Sequence, residues 1–333
     1  MKAVIVTQPK TEGLVTDRPT PKLRDDYVLV KTVSVGLNPT DWKHVAFLSP
    51  PGSLVGCDYS GIVEAVGKDV KKQFTKGDRP EDGTFAEYIV AKGDVQWKVP
   101  ENMSFQEAAT LGVGINTVGQ GLYQSLKLAL PTEPIKDATP ILIYGGSTAT
   151  GTLAIQFAKL SGYKVLTTCS PRNFDLVRSL GADDVYDYKD IQAPAKIRIA
   201  TDNNLKLVFD CISLEPSAAF CDNAISTDGG EYSALLSVKI NRANVNDRFT
   251  LAYTTIGEAF NFGDIPFPSK PEDKAHAEKF IPIAESLLAQ GKVKVHPPRV
   301  GEHGLKGVLE GLKLLREDKV SGEKLVYNVS ETP

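Results

Sequence analysis

From Pro140 onward the chain alternates short apolar strands with helices, and this alternation constrains the fold more than any other feature. "PILIYGG" leads into the helical "TGTLAIQFAKLSG", "KVLTTCS" into "RNFDLVRSLGA", and "DDVYDY" into a helix near "IQAPAKIRIAT". "LKLVFDCI" then precedes the helix "PSAAFCDNAI", and "GGEYSALL" follows. Apolar strands separated by helices form a parallel sheet covered on both faces. Right-handed crossovers make that sheet a doubly wound, Rossmann-type α/β domain.

The first hundred residues read differently. "KAVIV", "DYVLVKTVSV", "GIVEAVG" and "TFAEYIVA" are rich in β-branched residues and are bounded by Gly, Pro or Asn. At "TKGDRPEDGTFAEY" two turn signals abut, and the strand that belongs between them is missing. The sequence predicts a loop lost from the chain between Arg79 and Pro80. Ser104 and Glu107 have capping-box spacing, and the helical pattern continues through "INTVGQGLYQSLKL". After the strand–helix units come "GDIPFPSKPED", read as a Pro-rich linker or lid, and a long helix with Pro282 as a kink. The final strand, "EKLVYNV", predicts a return to the first domain. The expected boundaries are 1–112, 113–262 and 263–333.

Bulk composition excludes several classes. A net charge of −3, with no basic run, gives nucleic acid no surface. No window is apolar enough to span a membrane, and the opening "MKAVIVTQPK" reads as a strand ended by Pro9 rather than a leader. The four cysteines, Cys57, Cys169, Cys211 and Cys221, form no C-x-x-C pair. They read as reduced, partly buried thiols of a cytoplasmic protein.

The turn between the first strand and helix of the alternating series, "GGSTATG", is the first candidate site. A helix start there offers free backbone N–H groups and a positive dipole end to a pyrophosphate. Gly145, Gly146 and Gly151 keep the turn slim, and Gly151 permits close packing of the helix on the strand. The run Ser147-Thr148-Ala149-Thr150 stands where a dinucleotide fingerprint has its middle glycine. Its three hydroxyls can donate to phosphate oxygens. Taken alone, the stretch fits a plain strand-to-helix turn equally well.

The end of the second strand discriminates further. NAD-binding folds place Asp or Glu there for the ribose 2′-OH. Here the run is Ser170-Pro171-Arg172-Asn173, with a guanidinium and a hydroxyl and no carboxylate. That pattern selects a 2′-phosphate, hence NADP(H). Ser170 as a simple helix cap is the structural alternative. Tyr188, after the third strand, is placed to close over the adenine or its phosphate.

With "VGLNPTDWK", "VGCDYSGIVEAVG", "KGDR", "DGTFAEYIV", "PENMSFQEAATL", "STATGTLAIQFAKLSGYKV" and "SGEKLVY", the chain resembles the medium-chain dehydrogenase/reductases over nearly its whole length. Within them, "NPTDWKH", "GGSTATGT", "TCSPRNFDLV" and "LVFDCI" resemble the fungal trans-acting enoyl reductases. Those serve polyketide synthases that lack a working enoyl reductase domain, as in the lovastatin pathway. The resemblance implies a GroES-like β-rich catalytic domain beside the Rossmann cofactor domain. It also implies a zinc-free member. Asn38 stands where zinc-dependent relatives carry Cys, and Cys57-Asp58 stands where they carry His-Glu. His44, His276, His296 and His303 have no ligand spacing with the cysteines.

The same resemblance implies the remaining site residues. Thr40, Asp41, Trp42 and Lys43 border the cofactor, with Lys43 the catalytic candidate, Asp41 orienting it and Trp42 packing. Leu235, Leu236, Val320 and Ser321 return to the cofactor, although relatives often carry Asn at the position of Leu236. Val113, Gly114, Ile115, Asn116, Thr117, Val118, Gly119 and Gln120 line the substrate cleft. Thr255, Ile256, Gly257, Glu258 and Ala259 line the acyl pocket. Helix packing is the alternative for 113–120. The implied activity is NADPH-dependent reduction of an enoyl thioester held on the acyl carrier protein of a polyketide synthase, by a monomer and without metal. The competing readings are a quinone or enone reductase with free substrates, and a catalytically silent NADPH-binding protein.

Overall fold

The computed structural model describes residues 1–72, 85–262 and 265–333. The gap expected at Arg79-Pro80 lies outside the described residues. The chain divides into two compact units, Met1–Val113 with Thr254–Pro333, and Gly114–Tyr253.

The first unit opens with an antiparallel pair, β1 (Ala3–Gln8) and β2 (Thr11–Val15). β3 (Tyr27–Gly36) is followed by helix α1 (Pro39–Phe47), β4 (Asp58–Val66) and β5 (Tyr88–Lys92). β3 is the centre of the main sheet and pairs antiparallel with both β4 and β5. Its Val28, Val30 and Val35 are buried, whereas Lys31 is exposed. A single turn α2 (Phe105–Ala108) carries the capping box expected at Ser104 and Glu107. Helix α3 (Gly112–Val118) contains the unit boundary.

The second unit does not continue α3 as an ordinary helix. Gly119–Ser125 winds as a π-helix, an uncommon form in which each amide reaches one residue further back. The ring of Phe209 packs so closely on Gly121 that a Cβ there would sit 2.3 Å from it.

The strands and helices then alternate as β6 (Pro140–Tyr144), α4 (Ala149–Leu160), β7 (Lys164–Cys169), α5 (Phe174–Ser179), β8 (Asp184–Asp187) and α6 (Ala193–Ala200). β9 (Leu207–Asp210), α7 (Glu215–Ala224), β10 (Gly230–Ala234) and β11 (Val245–Phe249) complete the series. All the pairings are parallel, in the order β11-β10-β9-β6-β7-β8. The order reverses between β6 and β9, and ligands bind outside the carboxyl ends of the strands at such a point. β11 was not expected. Its "VNDRF" has an apolar residue only at each end, because an edge strand buries little.

The chain re-enters the first unit at Thr254 rather than at 263. Thr254 there donates its hydroxyl to the buried Asp273. The segment read as a linker holds a short antiparallel pair, β12 (Phe260–Phe262) and β13 (Ile265–Phe267), in which the Phe260 and Phe267 rings stack at 5.2 Å. Helix α8 (Pro271–Ala289) runs through Pro282 unbroken. β14 (Pro298–Gly301), α9 (Gly304–Arg316) and β15 (Lys324–Asn328) follow, and β15 pairs antiparallel with β3. The final strand thus completes the first sheet, as the sequence predicts.

Candidate active site

In the second unit the glycine turn is held from both sides. Gly145 has φ +82°, a left-handed conformation that suits glycine. Its N–H donates to Thr168 Oγ1 at 3.1 Å, and the Gly146 N–H donates to the Thr168 carbonyl at 2.8 Å. A Cβ on Gly146 would lie 2.0 Å from Thr167 Oγ1, and one on Gly151 would lie 2.3 Å from the Gly145 carbonyl oxygen. Gly151 therefore allows the helix to close on the turn itself, rather than on the strand as expected.

The three hydroxyls of the turn separate into two roles. Thr148 caps α4: its Oγ1 accepts from the Gly151 N–H at 2.9 Å and donates to the Gly145 carbonyl at 2.8 Å. The expectation that Thr148 donates to phosphate is thus corrected, since its one proton is committed to the turn. Ser147 and Thr150 are half-buried and make no hydrogen bond among the described residues. Ala149 and Thr150 occupy the first two helical positions, whose N–H groups have no carbonyl one turn back. Two hydroxyls and two amides are thus left unused by the turn.

After β7, Ser170 precedes a short 3-10 turn of Pro171, Arg172 and Asn173, but its hydroxyl makes no cap bond. Arg172 is exposed and has no ion-pair partner among the described residues. Tyr188, just past β8, is 40% exposed, with the Lys189 ammonium 5.7 Å from its ring. An uncommitted guanidinium with no carboxylate in its strand-end turn fits the phosphate of a phosphorylated dinucleotide.

The sequence reading overlooked Asp210, at the end of β9. Its buried carboxylate accepts from the Ile212 and Ser213 N–H groups at 2.9 Å each, from Ser217 Oγ at 2.6 Å and from the Tyr232 hydroxyl at 2.7 Å. Ser213 Oγ in turn accepts from the Leu235 N–H at 2.7 Å. This network fixes the turn that lays Ile212 over Gly145, and with it Leu235, while Leu236 is 39% exposed. The available signal was a carboxylate ending an apolar strand. In the helical segment Gly114–Gln120, Asn116 is buried and its Oδ1 has no hydrogen-bond partner among the described residues.

In the first unit, α1 carries Thr40 to Lys43 behind the cap residue Asn38. Asp41 does not orient Lys43. Its Oδ2 accepts from the Asn38 N–H at 2.7 Å, and burial pushes its carboxyl up to about 7. Lys43 makes no ion pair among the described residues, and its ammonium lies 5.8 Å from the Trp42 ring, which packs on the unit's core. Glu258 accepts from Tyr27 and from Lys92, each at 2.8 Å. Thr255 is buried, Ile256 is half-buried, Gly257 has φ +72° and Ala259 is exposed. Val320 is half-buried and Ser321 exposed, just ahead of β15.

The positions that hold zinc in related dehydrogenases carry a different chemistry. Asn38 Nδ2 donates to Asp58 Oδ2 at 2.8 Å, and Lys324 Nζ donates to the same carboxylate and to Asn38 Oδ1 at 3.0 Å. The Val113 N–H donates to Asp58 Oδ1 at 2.6 Å. A divalent cation would have to displace an ammonium, an amide and a backbone N–H, so the donor set does not fit a metal. Among the described residues no three His, Cys, Asp or Glu side chains gather elsewhere. All four cysteines are free thiols, and burial pushes Cys169 up to about 11.

Two domain profiles match, "Alcohol dehydrogenase GroES-like domain" over residues 24–101 and "Zinc-binding dehydrogenase" over 149–232. The trans-enoyl reductase TOXD of Cochliobolus carbonum is 62% identical over 84% of this chain and 98% of its own. The trans-enoyl reductase resD of Aspergillus sclerotiorum is 47% identical over 99% of this chain and all of its own. The chain belongs to the trans-enoyl reductases. This trans-enoyl reductase is an oxidoreductase of the nicotinamide-using medium-chain fold. The CurK enoyl reductase shares that fold, with TM-score 0.77 over 98% of each chain at 19% identity. The quinone oxidoreductase of Coxiella burnetii has TM-score 0.75 over 99% of each chain at 25% identity. No helix among the described residues of this trans-enoyl reductase is long and apolar enough to cross a membrane.

Proposed function

We propose that this enzyme is an NADPH-dependent, trans-acting enoyl reductase. Its substrate is the α,β-double bond of a polyketide thioester presented by the acyl carrier protein of a partner synthase. The observation that carries this reading is the 47% identity to resD along the full length of both proteins.

NADPH supplies hydride to the β-carbon of an alkene already polarised by its thioester. The chain's own residues bind, orient and stabilise. Ser147, Thr150 and the first amides of α4 receive the pyrophosphate, and Arg172 and Ser170 take the 2′-phosphate. Asp210 keeps the Ile212 and Leu235 backbone rigid beneath the dinucleotide. Lys43, uncommitted to any carboxylate, stabilises the enolate oxygen that develops on the substrate. Asn116 offers its buried, unpartnered carbonyl oxygen to the substrate. The α-carbon is protonated by water, and Thr255 to Ala259 border the acyl chain.

A quinone or enone reductase with free substrates is the second reading, favoured by the likeness to the Coxiella burnetii quinone oxidoreductase. NADPH oxidation with an enoyl-pantetheine thioester, an enoyl carrier protein and simple quinones separates the two. Turnover of the thioester with saturation of its double bond supports the proposal. Turnover of quinones alone replaces it with the second reading, and turnover of none leaves a silent binding protein.

A further inference from the structure

We propose that Lys324 and Asp58 are a positioning pair. This buried ion pair fixes the start of α1, and with it Lys43, against the Thr110–Val113 turn. The inference rests on the enoyl-reductase reading for its kinetic consequence, but not for its structural one.

Lys324 is the first residue of β15 and is 3% exposed, and Asp58, which opens β4, is fully buried. The ammonium has three protons, and three oxygens take them. These are Asn38 Oδ1 at 3.0 Å, the Thr110 carbonyl at 3.2 Å and Asp58 Oδ2. They lie 286, 214 and 266 residues away along the chain, so only the fold brings them together. Asp58 spends its other oxygen on the Val113 N–H, and the Asn38 amide is used at both ends. Asn38 also caps α1, and its N–H is held by Asp41. β4, β15, the start of α1 and the Thr110–Val113 turn meet here, and all three lysine protons are taken.

The space is cut to this pair. A Cβ on Gly112 would lie 2.4 Å from Asp58 Oδ1. A buried ion pair recovers little more than its own desolvation cost, and an apolar pair of equal volume would serve a core as well. Directional bonds supply something an apolar pair does not, namely a fixed register between the elements they join. Both joined elements carry candidate site residues: Thr40 to Lys43 follow the Asn38 cap, and Val113 begins the substrate segment.

The test uses the full-length enzyme, crotonyl-pantetheine and NADPH. Lys324→Arg keeps the charge but cannot reproduce the three-point geometry of the ammonium. It is expected to lower kcat at least about fivefold while NADPH Kd stays within about threefold. A smaller fall in kcat overturns the proposal. Hydrogen exchange reads the same claim without turnover. In Lys324→Arg, and in the neutral double variant Asp58→Asn/Lys324→Met, residues 37–44 and 110–118 are expected to lose protection together while β6 and α4 keep theirs. Unchanged protection, or a loss spread evenly over the chain, overturns the pair's role. Wild-type enzyme that binds NADPH without reducing the thioester ends the enoyl-reductase reading instead, and leaves the exchange result to judge the pair.

Discussion

Thr148 Oγ1 holds the Gly151 N–H at 2.9 Å while donating to the Gly145 carbonyl, so one hydroxyl closes the turn on which the cofactor site depends. Replacing Thr148 with Ala is expected to cost about 1 kcal/mol of stability, and Thr148→Ser to keep most of it. Chemical denaturation of the two variants checks this. Equal losses in both would mean that the cap bond is not what the threonine supplies.

Ser147 and Thr150 carry the opposite expectation, because nothing in the turn uses their hydroxyls. The double variant Ser147→Ala/Thr150→Ala is expected to weaken NADPH by roughly tenfold, about 0.5–1.5 kcal/mol for each hydrogen bond lost. Its denaturation midpoint is expected to match wild type. Titration of NADPH fluorescence gives the affinity, and an unchanged Kd would remove these hydroxyls from the site.

In the proposed function Arg172 selects NADPH over NADH through the 2′-phosphate. Arg172→Ala removes a charge-assisted contact of about 1.5–3 kcal/mol, so NADPH affinity is expected to fall roughly 10- to 150-fold. NADH affinity is expected to change little. Calorimetry with both cofactors reads the difference, and equal weakening of the two would show that no 2′-phosphate is bound there.

Gly151→Ala tests the closeness of helix and turn. Its Cβ would meet backbone atoms, the Gly145 oxygen at 2.3 Å and the Gly146 Cα at 2.8 Å, which have no rotamer to change. The expected cost is on the order of 1–3 kcal/mol, with loss of NADPH binding. A variant that melts and binds like wild type would refute the steric reading.

Asp41 gives a pH dependence with a definite sign. Burial raises its folded pKa to about 7 from 3.8, so the folded protein holds a proton that the unfolded chain releases earlier. The stability linked to this proton is fully present below about 4 and is lost as pH rises towards about 7. Asp41→Asn mimics the protonated acid and keeps the acceptor for the Asn38 N–H. Its stability relative to wild type is therefore expected to grow between about pH 4 and pH 7 and then level off. Denaturant melts at pH 4, 5.5, 7 and 8 read the slope, and a constant difference would mean that Asp41 ionises normally.

Much of the second unit was legible in the chain. Apolar runs separated by helical patterns specified the parallel sheet, since period and burial are local properties. The glycine turn and Arg172 were legible as candidates because each lies in a short contiguous stretch at a strand end. β11 was not visible, because an edge strand with two apolar residues carries almost no pattern. The Phe260–Phe267 hairpin was hidden behind its prolines, which read as a linker.

The sequence by itself determined the alternation of strands and helices from β6 to β10, because period and burial are properties of neighbouring residues. Only the tertiary structure decided which polar groups are free to act. Thr148 and Ser147 are adjacent and alike, yet one is spent on a cap and the other is not. Asp41 stands two residues from Lys43 but faces the Asn38 amide. Lys324 reads as an ordinary lysine before a final strand, and becomes the centre of a buried network through oxygens more than two hundred residues distant. A hydrogen bond depends on position in space, and periodicity along a chain does not encode which distant donor arrives first at a given acceptor.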